Sequence, residues 1–216
     1  MIVIGAKGFA KEILEVFYLN NQIEDLMFFD NISNDIGFKL YDKYRILRSW
    51  EEVEIEFKTQ NNRSYTIAVG GPVNRKKLFN EMIELGGEFC TTISPNSIIG
   101  HYDIKIGEGS NIMSSTFISN SVELGKGVVV NAHATVGHDC SIGEFSEISP
   151  GVNISGNCQI GNLSTIGTNV TILPKVKIGS NVVIAAGSLV KTDIPDNSIA
   201  VGYPARVVAK NDLISF

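Results

Sequence analysis

The chain has 216 residues, of which 44% are hydrophobic and 19% charged, the proportions of a soluble globular protein with one large or two small domains. A net charge of -5 argues against nucleic acid as a partner, because phosphate backbones need a basic face. No apolar run approaches the roughly 20 residues that span a bilayer. No secretory signal is read at residues 1–4, and Cys90, Cys140 and Cys158 make neither a disulfide framework nor a CxxC pair, so a cytoplasmic location is expected.

Residues 1–90 read as alternating strand and helix. Residues 1–4 are a short apolar strand, followed by a turn at 5–8. Residues 9–20 place Ala10, Ile13, Leu14, Val16 and Phe17 on one helical face. A second strand at 26–29 ends in Asp30 and Asn31. Residues 31–64 look polar and irregular, with a short helix at 49–53. A third strand at 65–69 ends in Gly70, Gly71 and Pro72, and a helical pattern follows at 73–85. This order predicts a small parallel, Rossmann-like α/β sheet with ligands outside the carboxyl ends of its strands.

From residue 93 the pattern changes. An aliphatic residue recurs every six positions from Ile106 to Val190, fifteen times without a break, and Ile93 and Ile99 extend the series upstream. The next residue is often glycine (107, 125, 137, 143, 161, 167 and 179), read as the corner, and the position four after the aliphatic is small or β-branched. Six is the period of neither an amphipathic helix nor an alternating strand. It is the hexapeptide repeat of a parallel β-helix, in which three repeats make one triangular coil. Residues 18 apart then stack about 4.8 Å from one another. The period leaves handedness open, and known hexapeptide-repeat proteins are left-handed. Residues 91–216 are assigned to this domain, with a short helix or strand expected at 207–216.

The repeat gives each side chain a direction. His138 points outward with Asp139 beside it, Gly156 one coil below and Asn120 one coil above. An imidazole can take a proton from an amine near neutral pH. An adjacent carboxylate can orient the ring, and a backbone N–H can bind an oxyanion. The bland alternative is a surface histidine on a solvated corner. His133 and His138 have an H-x4-H spacing that zinc could use with His101. However, two full coils upstream of them lie Ser97 and Tyr102, and His101 misses that register. The turn Gly5–Gly8, with Lys7 inside it, could seat a phosphate at a helix N-terminus or be a plain turn. Asp30 sits where a ribose- or base-binding acid sits in such folds. Asn74, Arg75, Lys76 and Lys77 could reach phosphates or be a solvated helix face. Cys140 and Cys158, 18 apart, should stack in the core as small hydrophobes.

Together, the I-G-A-x-G turn, Asp30, the V-G…N-R-K-K stretch at 69–77, H-D-C-x-I-G-E-F at 138–145, S-G-N at 155–157 and the G-Y-P-A-R ending resemble the bacterial sugar acyltransferases of the NeuD/PglD type. The resemblance covers essentially the whole chain. It implies an acetyl-CoA-dependent homotrimer of left-handed β-helices without a metal or a membrane span. In it His138 is the base, Asp139 orients it and Gly156 supplies the oxyanion N–H. Acetyl-CoA would lie between neighbouring prisms, against Gly156, Glu147, Thr168, Ala185, Ala186 and Gly187. The nucleotide-linked amino sugar would sit on the N-terminal domain at Gly5, Lys7, Gly8, Asp30, Asn31, Gly70, Asn74 and Arg75. One departure stands out: some members carry a second histidine nine residues after the base, and here that place is Glu147. The implied reaction is N-acetylation of a UDP-, dTDP- or GDP-linked 4-amino-4,6-dideoxyhexose for surface polysaccharide or glycoprotein synthesis. The alternatives are O-acetylation of a sugar or sialic acid and a non-catalytic, ligand-binding β-helix.

Overall fold

A computed structural model describes residues 1–211. In the N-terminal part, β1 (Ile2–Ile4), α1 (Gly8–Leu19), β2 (Met27–Phe29), β3 (Lys39–Leu40), β4 (Tyr44–Leu47), α2 (Trp50–Gln60), β5 (Ser64–Ile67), α3 (Pro72–Glu84) and β6 (Glu88–Phe89) follow in order. The sheet order is β3-β4-β2-β1-β5-β6. Only the β3–β4 pair is antiparallel. β1 and β2 are buried on both faces, which is why they read as unbroken apolar runs. Val3, Ala10, Ile13 and Phe28 fill one side of the sheet, and Ile2, Ile4, Phe29 and Tyr65 the other.

The stretch expected to be irregular differs. It holds the β3–β4 edge hairpin and an eleven-residue α2 that runs on past residue 53. The helix buries only Val53 and Phe57, so most of its length reads as polar. Its start is well specified: the Ser49 side chain accepts from Glu52 N, and Glu51 and Glu52 sit in the first turn, where the helix dipole favours acids.

The rest of the described chain is a left-handed parallel β-helix. Two-residue strands stack in an 18-residue register, as in Phe117↔Thr135↔Asn153↔Thr171↔Leu189. Three such stacks form the faces of a prism. The recurring aliphatics point inside, and from Ile112 onward each is at most 4% exposed.

The glycines do not turn the corners as the sequence suggests. The turning residue comes three after the aliphatic and has positive φ, as at His133, Asp139, Phe145, Gly151 and Asn157. The glycine directly after the aliphatic is needed for a different reason. A Cβ on Gly137 would lie 2.7 Å from Gly156 N, and one on Gly125 would lie 2.7 Å from Glu144 N. At those places consecutive coils come too close for any side chain.

An antiparallel hairpin, Ser198–Gly202 with Ala205–Lys210, closes the prism around the cis Tyr203–Pro204 bond. The tail expected at 207–216 is thus strand as far as Lys210, and its end lies outside the described residues.

The two parts are joined by buried and part-buried polar contacts. Asn111 Nδ2 donates to Ile67 O at 2.8 Å, Thr66 Oγ1 donates to Asn111 Oδ1 at 3.1 Å, and Asn20 Nδ2 donates to Ile93 O at 2.9 Å. Met113 of the β-helix belongs to one N-terminal core cluster.

Because the prism interior is one continuous aliphatic stack, Ile148→Ala should lower stability by about 2–5 kcal/mol in chemical denaturation. Glu123→Gln on an exposed face should change it by no more than about 0.5 kcal/mol.

Candidate active site

His138 occupies a prism edge, and its side chain is 62% exposed. Asp139 turns the corner in the left-handed region, φ 57°, and this brings its carboxylate back against the preceding ring. His138 Nδ1 and Asp139 Oδ2 are 2.6 Å apart. With Asp139 accepting from Nδ1–H, Nε2 is left as the proton acceptor. The Nε2 edge faces Gly156 on the next coil, and a Cβ there would come within 2.5 Å of Nε2. Only glycine admits the ring in this position.

The Gly156 N–H has no hydrogen-bond partner among the described residues. On another edge, equivalent N–H groups are capped from the following coil. Glu144 N donates to Asn162 Oδ1 at 2.8 Å, Asn162 N to Ser180 Oγ at 3.1 Å, and Ser180 N to Asp196 Oδ1 at 2.7 Å. One coil on from Gly156 stands Pro174, which carries no acceptor side chain. An exposed base and a free amide donor therefore lie side by side, the pair that acyl transfer requires.

Behind this edge Cys140 and Cys158 are buried as stacked thiols, with Cys158 N 3.3 Å from Cys140 Sγ. Among the described residues no three His, Cys, Asp or Glu side chains stand together as a metal-binding group.

A second site lies on the sheet. A cavity of about 480 Å³ opens at the carboxyl ends of β1, β2 and β5. The strand order reverses between β1 and β5, the usual place for a nucleotide in such sheets. Gly5, Lys7, Asp30, Asn31, Gly70 and Asn74 line it; Gly8 and Arg75 do not. The N-termini of α1 and α3 both have no side-chain cap and no acid in the first turn. Lys7 and Gly70, at or beside the caps, and Asn74 in α3 put both ends on the cavity wall, a setting for an anion such as a diphosphate. Lys7 Nζ, half exposed, is held 2.7 Å from Asp35, whose carboxyl is shifted below its ordinary range by that hydrogen bond. The Asp30 carboxylate is engaged in its own turn, accepting from Ile32 N, Ser33 N and Ser33 Oγ.

Trp50, Lys77 and Glu81 also line the cavity. Trp50 falls in the short helix expected at 49–53, but nothing local in the sequence shows that it reaches the cavity. Thr168, Ala185, Ala186 and Gly187 lie along a different prism edge, where Gly187 N donates to Thr168 O at 2.8 Å. That edge and the His138 edge bound the same face, which carries Phe117, Thr135, Asn153 and Thr171.

Residues 1–82 match the PglD N-terminal domain, and residues 139–174 and 157–192 match the bacterial transferase hexapeptide repeat. No protein of curated function matches the chain by sequence. Among solved structures, the acetyltransferase domain of PglB from Neisseria gonorrhoeae FA1090 is 30% identical over 96% of this chain and 98% of its own, with a TM-score of 0.87. The chain belongs to the NeuD/PglD type of bacterial sugar acetyltransferases. WeeI from Acinetobacter baumannii AYE is similar at 27% identity, covering 96% of this chain and 98% of its own, with a TM-score of 0.86. A variant of perosamine N-acetyltransferase from Caulobacter crescentus, in complex with CoA and GDP-perosamine, has the same fold at 23% identity, a TM-score of 0.88 and coverage of 97% and 96%.

Two residues that the family resemblance assigned to ligands are placed differently. Arg75, expected at the nucleotide sugar, is 1% exposed and turned away from the cavity. Its Nη1 donates to Glu147 Oε2 at 2.7 Å and its Nη2 to Phe145 O at 2.6 Å. Glu147, expected at the cofactor, also accepts from Gly71 N at 3.0 Å. A buried guanidinium needs a counter-charge, and among the described residues the carboxylate it meets is Glu147.

Gly156→Ala should drive the His138 ring off Asp139 while sparing the prism core. Turnover is expected to fall about a hundredfold, the scale of a displacement near 1 Å. A crystal structure of the variant with its ring still on Asp139 would contradict this.

Proposed function

We propose that this chain is an acetyl-CoA-dependent N-acetyltransferase acting on the 4-amino group of a nucleotide-linked 4-amino-4,6-dideoxyhexose. The observation that carries the reading is the His138–Asp139 pair beside the unpartnered Gly156 N–H. The neutral amine attacks the thioester carbonyl and the carbonyl oxygen becomes an oxyanion, to which Gly156 N–H donates. His138 Nε2 takes the amine proton, and Asp139 stabilises the imidazolium. When the intermediate collapses, the C–S bond breaks and the imidazolium proton passes to the CoA thiolate. An oxyanion donor of this kind contributes about 3–4 kcal/mol.

The cavity on the sheet supports a nucleotide acceptor. Its about 480 Å³ lies within the usual range for ligand pockets, and two open helix N-termini suit a diphosphate. The Caulobacter relative was solved with CoA and GDP-perosamine, and the gonococcal domain with acetyl coenzyme A.

A homotrimer is part of the proposal. The prism face between the His138 edge and the Ala186 edge exposes Ile98 (65%) and Phe117 (44%), with uncharged Thr135, Asn153 and Thr171 in the same row. The adjoining face carries Lys105, Glu123 and Lys177 and suits solvent. Covering the apolar face with a ring of three closes the assembly. It also sets the edge bearing Thr168, Ala185, Ala186 and Gly187 opposite a neighbour's His138, where acetyl-CoA would lie. Among the described residues no helix is long and apolar enough to cross a membrane. A cytoplasmic enzyme feeding surface polysaccharide or glycoprotein synthesis fits free buried thiols and a CoA donor.

A screen of UDP-, dTDP- and GDP-linked 4-amino sugars with acetyl-CoA, followed by free thiol release, tests the reaction. Turnover is expected on one of them, and His138→Ala should reduce it by about 10²–10⁴-fold with nucleotide binding retained. Turnover on sialic acid or a free sugar alone would replace the reading with O-acetylation. No thiol release from any acceptor would leave a binding protein. Light scattering is expected to give three times the 23.5 kDa chain mass, and a monomer would remove the shared cleft.

A further inference from the structure

Helix α3 has two working sides. Asn74, Lys77, Leu78 and Glu81 face the cavity. Arg75 and Phe79 face the β-helix, where Phe79 packs on Phe145 with ring centroids 5.4 Å apart. One oxygen, Glu147 Oε2, receives both Arg75 Nη1 and the N–H of Gly71, the N-cap of α3. Gly71 follows the cavity residue Gly70 and has φ 83°, so its amide direction is set by a turn that only glycine adopts easily. Among the described residues Arg75 Nε is buried without a hydrogen-bond partner, and the guanidinium is held by Glu147 and Phe145 O. Burial holds the Arg75 pKa below its ordinary value, with Glu147 acting in the opposite direction.

We infer that Glu147 and Arg75 are positioning residues that fix the nucleotide-binding wall, residues 70–74, against the β-helix. The inference rests on the reading of the sheet cavity as the nucleotide-sugar site. It gives the place nine residues after His138 a task on the acceptor side of the reaction instead of at the acetyl group. Loss of the carboxylate therefore affects the acceptor selectively. Glu147→Gln keeps the size but removes the charge, and with it the strong acceptor that orients Gly71 N–H. The pair Arg75→Met with Glu147→Leu replaces both charges by apolar groups of similar volume, an exchange that leaves stability nearly unchanged in buried pairs. It still deprives Gly71 N–H of its acceptor.

The experiment measures Kd by calorimetry for whichever of UDP, dTDP and GDP the unaltered protein binds most tightly, then KM for each substrate and kcat. Nucleotide Kd and nucleotide-sugar KM should rise about tenfold in both Glu147→Gln and the double variant. KM for acetyl-CoA and kcat should stay within about twofold, with the thermal midpoint of the double variant unchanged. A double variant that recovers both stability and nucleotide affinity would reduce the ion pair to a structural prop and overturn the inference. A change in acetyl-CoA KM or kcat without a change in nucleotide Kd would put Glu147 back at the acetyl group and overturn it equally. If none of the three nucleotides binds, the wall has no ligand and the inference falls. If nucleotide binds but no thiol is released, the acetyltransferase reading fails while the Kd comparison still decides the role of Glu147.

Discussion

Everything in the β-helix depends on one spacing: eighteen residues return the chain to the same place one coil further on. The inward aliphatics stack because of it, and so do the strands that hydrogen-bond along each face. The same spacing sets the chemistry. It puts the Gly156 backbone under the His138 ring, with room for the ring only because residue 156 lacks a Cβ. A one-residue slip would turn the aliphatics outward and bring a different amide under the imidazole. Stability and site geometry are therefore the same constraint, and the site needs no flexible loop to assemble it.

The N-terminal sheet contributes its site by a different route. Its strands are short, but the order reversal between β1 and β5 leaves a crevice at their carboxyl ends. Two helices begin there without side-chain caps. Both starts lie on the crevice wall, and so does Trp50 at the start of α2, but α2 closes its own first turn with the Ser49 side chain. α3 then links this crevice to the β-helix, because its other side is buried against Phe145 and Glu147.

What could be read in the sequence follows from how local each cause is. The hexapeptide period was legible because each inward position repeats the same packing problem, and only aliphatics solve it. The His138, Asp139 and Gly156 constellation followed from that period by counting. The glycines after the aliphatics were visible, but their reason was not: close approach of coils and positive φ both favour glycine, and only coordinates separate them. In residues 31–64 the start of α2 is legible, but the β3–β4 hairpin and the helix beyond residue 53 are not, because β4 has four residues and α2 buries two side chains, too little for a periodic signal. Arg75 looked like a phosphate ligand because it lies in a basic run. Its true partner is 72 residues away in another type of structure, and no local pattern carries that information.

The two prism edges near the site show how composition decides between structure and chemistry. Along one edge, Asn162, Ser180 and Asp196 each cap the amide of the coil before. Along the His138 edge the same cap begins, with Asn120 Oδ1 accepting from Tyr102 N at 3.2 Å. It then stops. His138 turns its ring to Asp139, Gly156 has no side chain, and Pro174 has no acceptor to offer. A buried unpaired amide would cost about 1–3 kcal/mol, but Gly156 is only part-buried, so an open amide is tolerated there at lower cost. The open amide at Gly156 thus lacks the cap that Glu144, Asn162 and Ser180 have on the other edge. What sets the Gly156 amide apart is the exposed His138–Asp139 pair beside it.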